Sequence, residues 1–164
     1  MMEPPRVRLP SERFARTATL VIVETFNTDG LARGPLQLTV IAGEYDDGRI
    51  GEIFVEAGKQ GTKVSGLVSA VCSSISVGLQ YGIPLRVFYE KLAFTRFPPD
   101  GRVIGPRIRP LCTSILDAIF QWLEASYDLD SGLRRYENQE SRFYRCIRED
   151  AQPVDLGIRA RDSV

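Results

Sequence analysis

The chain has 164 residues, 43% of them hydrophobic, which is enough to bury a core without disulfide or metal cross-links. Its 21 basic and 21 acidic residues cancel, so no overall field draws it to nucleic acid or to an anionic membrane. No apolar run reaches the length of a membrane span, and the N-terminus lacks a signal-peptide core. These features predict a cytoplasmic protein with no membrane partner.

The cysteines and acidic residues indicate neither a catalytic group nor a metal site. The chain has no histidine, and Cys72, Cys112 and Cys146 are widely spaced. This pattern supports neither a zinc site nor a disulfide framework, so we expect reduced thiols, with Cys72 and Cys112 partly buried on helices. Without a histidine base, the serines cannot form a hydrolytic triad. The acidic residues of 44–56 do not converge as a divalent cation requires.

The first part of the chain predicts an arm followed by three strands. Residues 1–16 carry three prolines and four arginines without periodicity, which indicates an extended N-terminal arm. Residues 17–26 are β-branched and apolar on both faces, typical of a strand that needs cover on both sides. Alternating apolar residues at about 36–44 and 49–57 flank Asp47-Gly48, which is a strong local signal for a β-hairpin.

The second part predicts helices and one long loop. Apolar residues recur at helical spacing over about 62–81, and small residues on the other face of that helix allow a second backbone to approach closely. A short helix from Pro84 to about Phe94 precedes a loop at 96–110 that contains four prolines. A final helix over about 111–127 is apolar nearly all round, which indicates either a central core helix or half of an interface.

Together these elements predict an α+β fold, in which a three-stranded antiparallel β-meander packs against a layer of about three to four helices. The domain runs over 17–130 in this interpretation, after the arm of residues 1–16. Residues 131–164 are polar and mixed in charge, and we expect an extension that is partly helical and then disordered.

The excess of apolar surface on the last predicted helix and the first predicted strand also predicts a homodimer. Three strands are too few to cover both, so we expect two copies to meet through Ile119, Trp122 and Leu123 or by pairing sheet edges.

Seven short motifs follow one another along the chain: Arg8-Leu9-Pro10, Gly43-Glu44-Tyr45-Asp46-Asp47-Gly48-Arg49, Gly51-Glu52-Ile53-Phe54-Val55, Gly58-Lys59-Gln60-Gly61, Leu79-Gln80-Tyr81-Gly82-Ile83-Pro84-Leu85, Thr95-Arg96-Phe97 and Ser114-Ile115-Leu116-Asp117-Ala118-Ile119-Phe120-Gln121-Trp122-Leu123. In this order they resemble the C-terminal region of adenosylcobalamin-dependent (class II) ribonucleotide reductases. That region belongs to a domain family named for a Thr-Ser-Cys-Pro-Asp signature.

The resemblance implies the accessory domain of these enzymes without their catalytic machinery. The reductase family performs its chemistry in a ten-stranded α/β barrel, with a radical-forming cysteine, a reducing cysteine pair and a carboxylate, and the motifs here match none of that barrel. The family signature is only echoed, in Cys112-Thr113-Ser114. The resemblance implies adenosylcobalamin for the full-length relatives, and we expect this chain alone to bind no cofactor.

Two stretches are candidates for binding a phosphate or nucleotide. One precedes the 62–81 helix and contains Gly58, Lys59, Gln60, Gly61 and Lys63. Backbone N–H groups at a helix start can hold an anion, although a glycine-assisted turn explains the same residues. The other lies on the proline-rich loop and contains Arg96, Arg102, Arg107 and Arg109. Guanidinium groups suit phosphate, although a solvated or Asp100-paired loop is the alternative.

Three functions stay open on this basis. The first is a non-catalytic binding or regulatory module that acts through a reductase, a nucleotide or a nucleic acid. The second is a subunit of a split reductase, which contributes to deoxyribonucleotide synthesis only in complex with a catalytic chain. The third is nucleic-acid binding through the arginine loop and the mixed-charge stretch at 134–148.

Overall fold

A computed structural model describes residues 5–24, 34–58 and 63–129, which lie in a compact unit that ends at Leu129. The strands are β1 (Phe14–Glu24), β2 (Leu36–Glu44), β3 (Ile50–Ala57), β4 (Gly101–Ile104) and β5 (Leu111–Cys112). The helices are α1 (Lys63–Gln80), α2 (Leu85–Leu92) and α3 (Ile115–Tyr127). The strands form one antiparallel sheet in the order β3-β2-β1-β4-β5. The predicted α+β class is therefore confirmed.

The hairpin between β2 and β3 turns where the sequence predicts it. Gly48 has φ +82, a left-handed conformation that a residue without Cβ adopts at little cost. Its N–H donates to the carbonyl of Tyr45 at 2.9 Å. The Asp47 carboxylate accepts from the Arg49 backbone N–H at 3.0 Å and from its side chain at 2.7 Å, and these bonds lower the pKa of Asp47. The turn thus explains the acidic residue at this position.

The predicted strand count was too low. The loop predicted at 96–110 contains β4. The first two residues of the helix predicted over 111–127 form β5, and the helix itself begins at Ile115. β4 pairs with β1 through Val21↔Ile104 and Ile22↔Val103, which are about 80 residues apart along the chain. A four-residue strand among prolines carries little local signal, and only this distant pairing defines it. At the other end, β1 begins at Phe14, inside the predicted arm.

The core lies between one face of the sheet and α3. Leu20, Ile22, Leu38 and Val40 point to this inner face and are fully buried. From Ile115 to Leu123 every residue of α3 is buried, because the helix is covered by the sheet, α2 and β5. It is therefore a central helix, the first of the two alternatives raised by its composition.

This burial corrects the predicted interface. Ile119, Trp122 and Leu123 are 1%, 4% and 0% exposed within a single chain. Their side chains are thus unavailable to a second copy, because the chain itself covers α3, in part with strand β5, which the three-stranded prediction lacked. A homodimer stays a prediction, without these residues as its contact.

Some predicted features lie outside the described residues. These are Lys59, Gln60 and Gly61 of the first anion stretch, Cys146, and the extension over 131–164.

Candidate functional site

The first predicted anion stretch is only partly described. Gly58 has φ +55, and its N–H donates to the carbonyl of Gln37 at 2.9 Å, so that N–H is used by the sheet. Lys63 is exposed at the start of α1. Residues 59–62, which would complete a phosphate cradle, lie outside the described part of the chain. An anion site here stays a prediction. The N–H of Gly58 is not available to such a site, because it donates to the Gln37 carbonyl.

The arginine loop holds three exposed arginines: Arg96, Arg102 and Arg107. Arg109 turns inward instead, with 24% of its side chain exposed, and lies 4.9 Å above the ring of Phe94. Arg102 is on β4, and two strands separate it from Gly58 at the end of β3. At the usual strand spacing that places the backbones of Arg102 and Gly58 about 14 Å apart, so these two residues do not lie side by side.

The densest set of polar contacts surrounds Asp117 on α3, which is 1% exposed. Its Oδ2 accepts from the Thr113 backbone N–H at 2.8 Å and from Gln121 Nε2 at 3.0 Å. Its Oδ1 accepts from the Phe94 backbone N–H at 3.2 Å and lies 3.8 Å from Arg109 Nη2. One buried carboxylate therefore joins the loop after α2, the residue that follows β5 and the first turns of α3. We call this set the Asp117 network.

The family signature residues belong to the Asp117 network. Ser114 caps α3, because its Oγ accepts from the backbone N–H of Asp117 at 3.1 Å. The hydroxyls of Ser114 and Thr95 lie 3.0 Å apart, and Thr113 Oγ1 donates to the Thr95 carbonyl at 3.0 Å. Thr113 and Ser114 are themselves buried. Their contacts indicate that the Cys112-Thr113-Ser114 segment positions backbone and does not face a substrate.

The sequence prediction missed Asp117 as a central residue, although a signal was present. Ser114 and Asp117 stand three residues apart immediately before an apolar run, which is the pattern of a helix N-cap with an acidic third residue. That pattern predicts the cap. It does not predict that the same carboxylate reaches Thr113 and Phe94, because those contacts depend on how three segments meet.

The described thiols are poorly suited to redox or nucleophilic chemistry. Cys72 on α1 and Cys112 on β5 are both 2% exposed. Burial raises the pKa of each thiol to about 12, so neither forms a thiolate near neutral pH. The prediction of buried thiols is confirmed for both, but Cys112 lies on a strand and not on a helix.

The outer face of the sheet carries two of the exposed apolar side chains of the described chain, Phe54 and Ile104. Ile41 is opposite Phe54, and Val21 is opposite Ile104, all pointing away from the core. Phe54 is 49% exposed and Ile104 is 47% exposed, whereas Val21 and Ile41 are half-buried. Ile41 is opposite Thr17 and Val21 is opposite Gln37, so the two apolar pairs lie four residues apart along the strands and are separate on the outer face. We refer to the two pairs together as the outer patch. Exposed apolar side chains on a sheet face are candidates for contact with another protein.

The fold is an α+β domain, in which an antiparallel sheet and the buried Cys112-Thr113-Ser114 segment pack with one central helix. Residues 15–127 match the TSCPD domain family, and the chain belongs to that family. The described part contains no cluster of three cysteine, aspartate or glutamate residues able to hold a metal ion. Within residues 5–24, 34–58 and 63–129, no helix is long and apolar enough to cross a membrane.

The chain is similar to several proteins named vitamin B12-dependent ribonucleotide reductase. It is 42% identical to that of Bradyrhizobium diazoefficiens over 101 residues, which is 62% of this chain and 8% of the relative. With the Agrobacterium fabrum protein it shares 45% identity over 85 residues, or 52% of this chain and 7% of the relative. With the Streptomyces clavuligerus protein it shares 35% identity over 124 residues, which is 76% of this chain and 12% of the relative. No solved structure matches the chain.

Proposed function

We propose that this chain is a non-catalytic accessory module that acts by binding a vitamin B12-dependent ribonucleotide reductase. The observation that carries the proposal is the extent of similarity: the TSCPD domain covers residues 15–127, and 85–124 residues of the chain align with reductases of which the aligned part forms 7–12%. In each of those proteins the domain is covalently joined to a much longer reductase sequence. A domain of this family is therefore suited to lie against such a reductase.

The chemistry of the described residues supports a binding role. Reduction of a ribonucleotide by this class needs reactive thiols, according to the resemblance described above, whereas Cys72 and Cys112 are buried and protonated. Asp117, the most buried carboxylate, is occupied by backbone and side-chain donors. The outer patch supplies an apolar surface on a rigid sheet, which suits contact with a protein partner.

The test is capture of the reductase from the source cell by tagged full-length chain, followed by identification of the bound protein by mass spectrometry. We expect a vitamin B12-dependent ribonucleotide reductase to be recovered, and we expect the purified chain alone to reduce no ribonucleotide in the presence of adenosylcobalamin and a dithiol. Turnover by the chain alone, or capture without any reductase, contradicts the proposal.

Two matched variants locate the contact. Phe54→Asp places a charge in the outer patch, and we expect it to lower recovery of the reductase at least tenfold. Leu67→Asp places the same charge on α1, where Leu67 is 69% exposed, and recovery should be unchanged. Reductase activity that depends absolutely on the added chain would instead assign it as a subunit of a split enzyme.

A further inference from the structure

Residues 5–13 lie across a groove between the end of α1 and the β2–β3 turn. The backbone N–H of Val7 donates to the carbonyl of Gln80 at 2.9 Å, and the Val7 carbonyl accepts from the hydroxyl of Tyr45 at 2.5 Å. Both main-chain groups of one residue are therefore bound, while its side chain is 55% exposed. Hydrogen bonds to the main chain of an extended segment are typical of a site that binds a peptide.

Side chains add selectivity on either side of Val7. Arg6 Nε donates to Gln80 Oε1 at 2.8 Å, and the amide of Gln80 is itself oriented by donating to the carbonyl of Gly51 at 3.2 Å. Leu9 packs directly over Gly51, where a Cβ atom would collide with it and would lie 2.6 Å from the ring of Tyr45. The groove thus has a polar position for arginine and an apolar slot for leucine three residues later.

The segment is attached to the surface and is not part of the core. From Pro5 to Arg13 every residue except Leu9 is exposed. A cavity of about 120 Å³ remains between Pro5 and Val7 on one side and Tyr45, Arg49 and Tyr81 on the other. Pairing of β1 with β2 begins at Phe14, so the segment can leave without breaking a β1–β2 pair.

We propose that this groove is a peptide-binding site for an extended Arg-x-x-Leu segment, filled in cis by residues 5–13 and open in trans to the same segment of a second copy. The chain itself carries the sequence with the matching chemistry, and exchange of such a segment between copies makes no demand on the core. Exchange of identical segments is a low-cost route to dimers. The proposal does not depend on the reductase as a partner.

The direct test is binding of a fluorescent peptide of residues 5–14 to the full chain carrying Leu9→Asp, which releases the cis segment. We expect the peptide to bind this variant at least tenfold more tightly than the wild-type chain, whose own segment competes at high effective concentration. Adding Gly51→Ala should abolish binding. The matched change Gly66→Ala, at a position with open space around it, should leave binding intact.

The peptide offers a second matched pair. Arg6→Gln in the peptide should weaken binding at least fivefold, whereas Arg8→Gln, at an exposed position, should not. Equal binding of the peptide to wild-type and Leu9→Asp chains, or equal effects of the two arginine changes, overturns the proposal.

Two measurements keep the proposal testable if Leu9→Asp fails to fold. In the wild-type chain, the Val7 amide should exchange hydrogen at least tenfold faster than the Ile53 amide, because the segment opens locally. Equal exchange rates overturn a detachable segment. Wild-type chains can be mixed with Gly51→Ala chains, which have an intact segment but a blocked slot. At about millimolar concentration, comparable with the effective concentration of the cis segment, this mixture should contain dimers by light scattering. Only monomers in that mixture contradict binding in trans.

Discussion

Asp117 shows how a buried charge can be retained at the centre of a domain. A carboxylate moved out of water loses several kcal/mol of hydration, which only close donors and an opposite charge can offset. Here backbone N–H groups of Thr113 and Phe94 and the amide of Gln121 supply the donors. Arg109, 3.8 Å away, is beyond hydrogen-bond distance and contributes an attractive charge.

We expect Asp117→Ala to be among the most destabilising single changes in the described chain. It removes the negative charge 3.8 Å from the partly buried Arg109 and the acceptor of several buried donors, for a loss of about 3–5 kcal/mol. Urea denaturation followed by circular dichroism measures it. Asp46→Ala, at an exposed position of the hairpin turn, is the control and should leave the unfolding midpoint unchanged.

The buried thiols make stability depend on alkaline pH. Burial raises the pKa of Cys72 from 9.0 to about 12, and that of Cys112 likewise. The unfolded chain therefore loses these protons at lower pH than the folded chain does, and the stabilisation, complete below pH 9, is lost as pH rises toward 12. We expect the free energy of unfolding to fall by about 1.4 kcal/mol per pH unit for each thiol in this range.

Urea denaturation between pH 8 and pH 11 checks this expectation. Cys72→Ala removes one titrating group and should make the decline shallower. An equally steep decline in that variant would show that the Cys72 thiol is not the source of the pH dependence. Tyrosines whose pKa values are also raised by burial, Tyr89 and Tyr127, contribute in the same direction and remain in both chains.

At the scale of elements, α1 protects an edge of the sheet. β3 is an outer strand, and unpaired N–H and C=O groups along such an edge invite pairing with another chain. Ser76 of α1 meets this edge: its Oγ accepts from the Ile53 N–H at 2.8 Å and lies 3.3 Å from the Ile53 carbonyl. One turn later Gln80 donates to the carbonyl of Gly51. The small residues of α1 thus allow the helix to lie close to the strand backbone.

Ser76→Ala should destabilise the chain, because it removes the hydroxyl that pairs with backbone groups at the edge of β3. Ile53 N–H loses its acceptor in a buried position, so we expect a loss of about 1–3 kcal/mol in the free energy of unfolding. Ser73→Ala, on an exposed position of the same helix, serves as the matched control. A similar effect of both changes would point to helix propensity and not to the strand edge.

Elements with a local cause were the ones that the sequence predicted well. Asp47-Gly48 sets the hairpin within a few residues, and α1 follows from its apolar period and from Gly82, which has φ +86 after the helix ends. β4 and β5 have two to four residues each; β4 is defined by pairing with the distant strand β1, and β5 in turn by pairing with β4. The Asp117 network was missed for the same reason, since its partners come from three segments.

At the scale of the whole molecule, the sheet has one face buried by α3 and one face open. The inner-face residues and the closely packed helices account for the apolar surplus that the sequence assigned to an interface. The apolar side chains that stay open include Phe54 and Ile104 of the outer patch, about half exposed, besides Leu67 on α1 and Phe14 at the start of β1. A partner surface is therefore expected on the sheet side of the domain and not along the last helix.

A substitution of Trp122 distinguishes a core position within one chain from a position in an interface between two copies. It is 4% exposed in the core of one chain, so Trp122→Ala should lower the free energy of unfolding by about 3–5 kcal/mol through lost burial and the cavity left behind. Because the side chain is buried within a single chain, we expect the mass of the remaining folded protein by light scattering not to change. Leu67→Ala, at a residue 69% exposed on α1, should alter neither quantity. A Trp122→Ala chain that keeps wild-type stability while its mass falls by half would instead place Trp122 in an interface between copies.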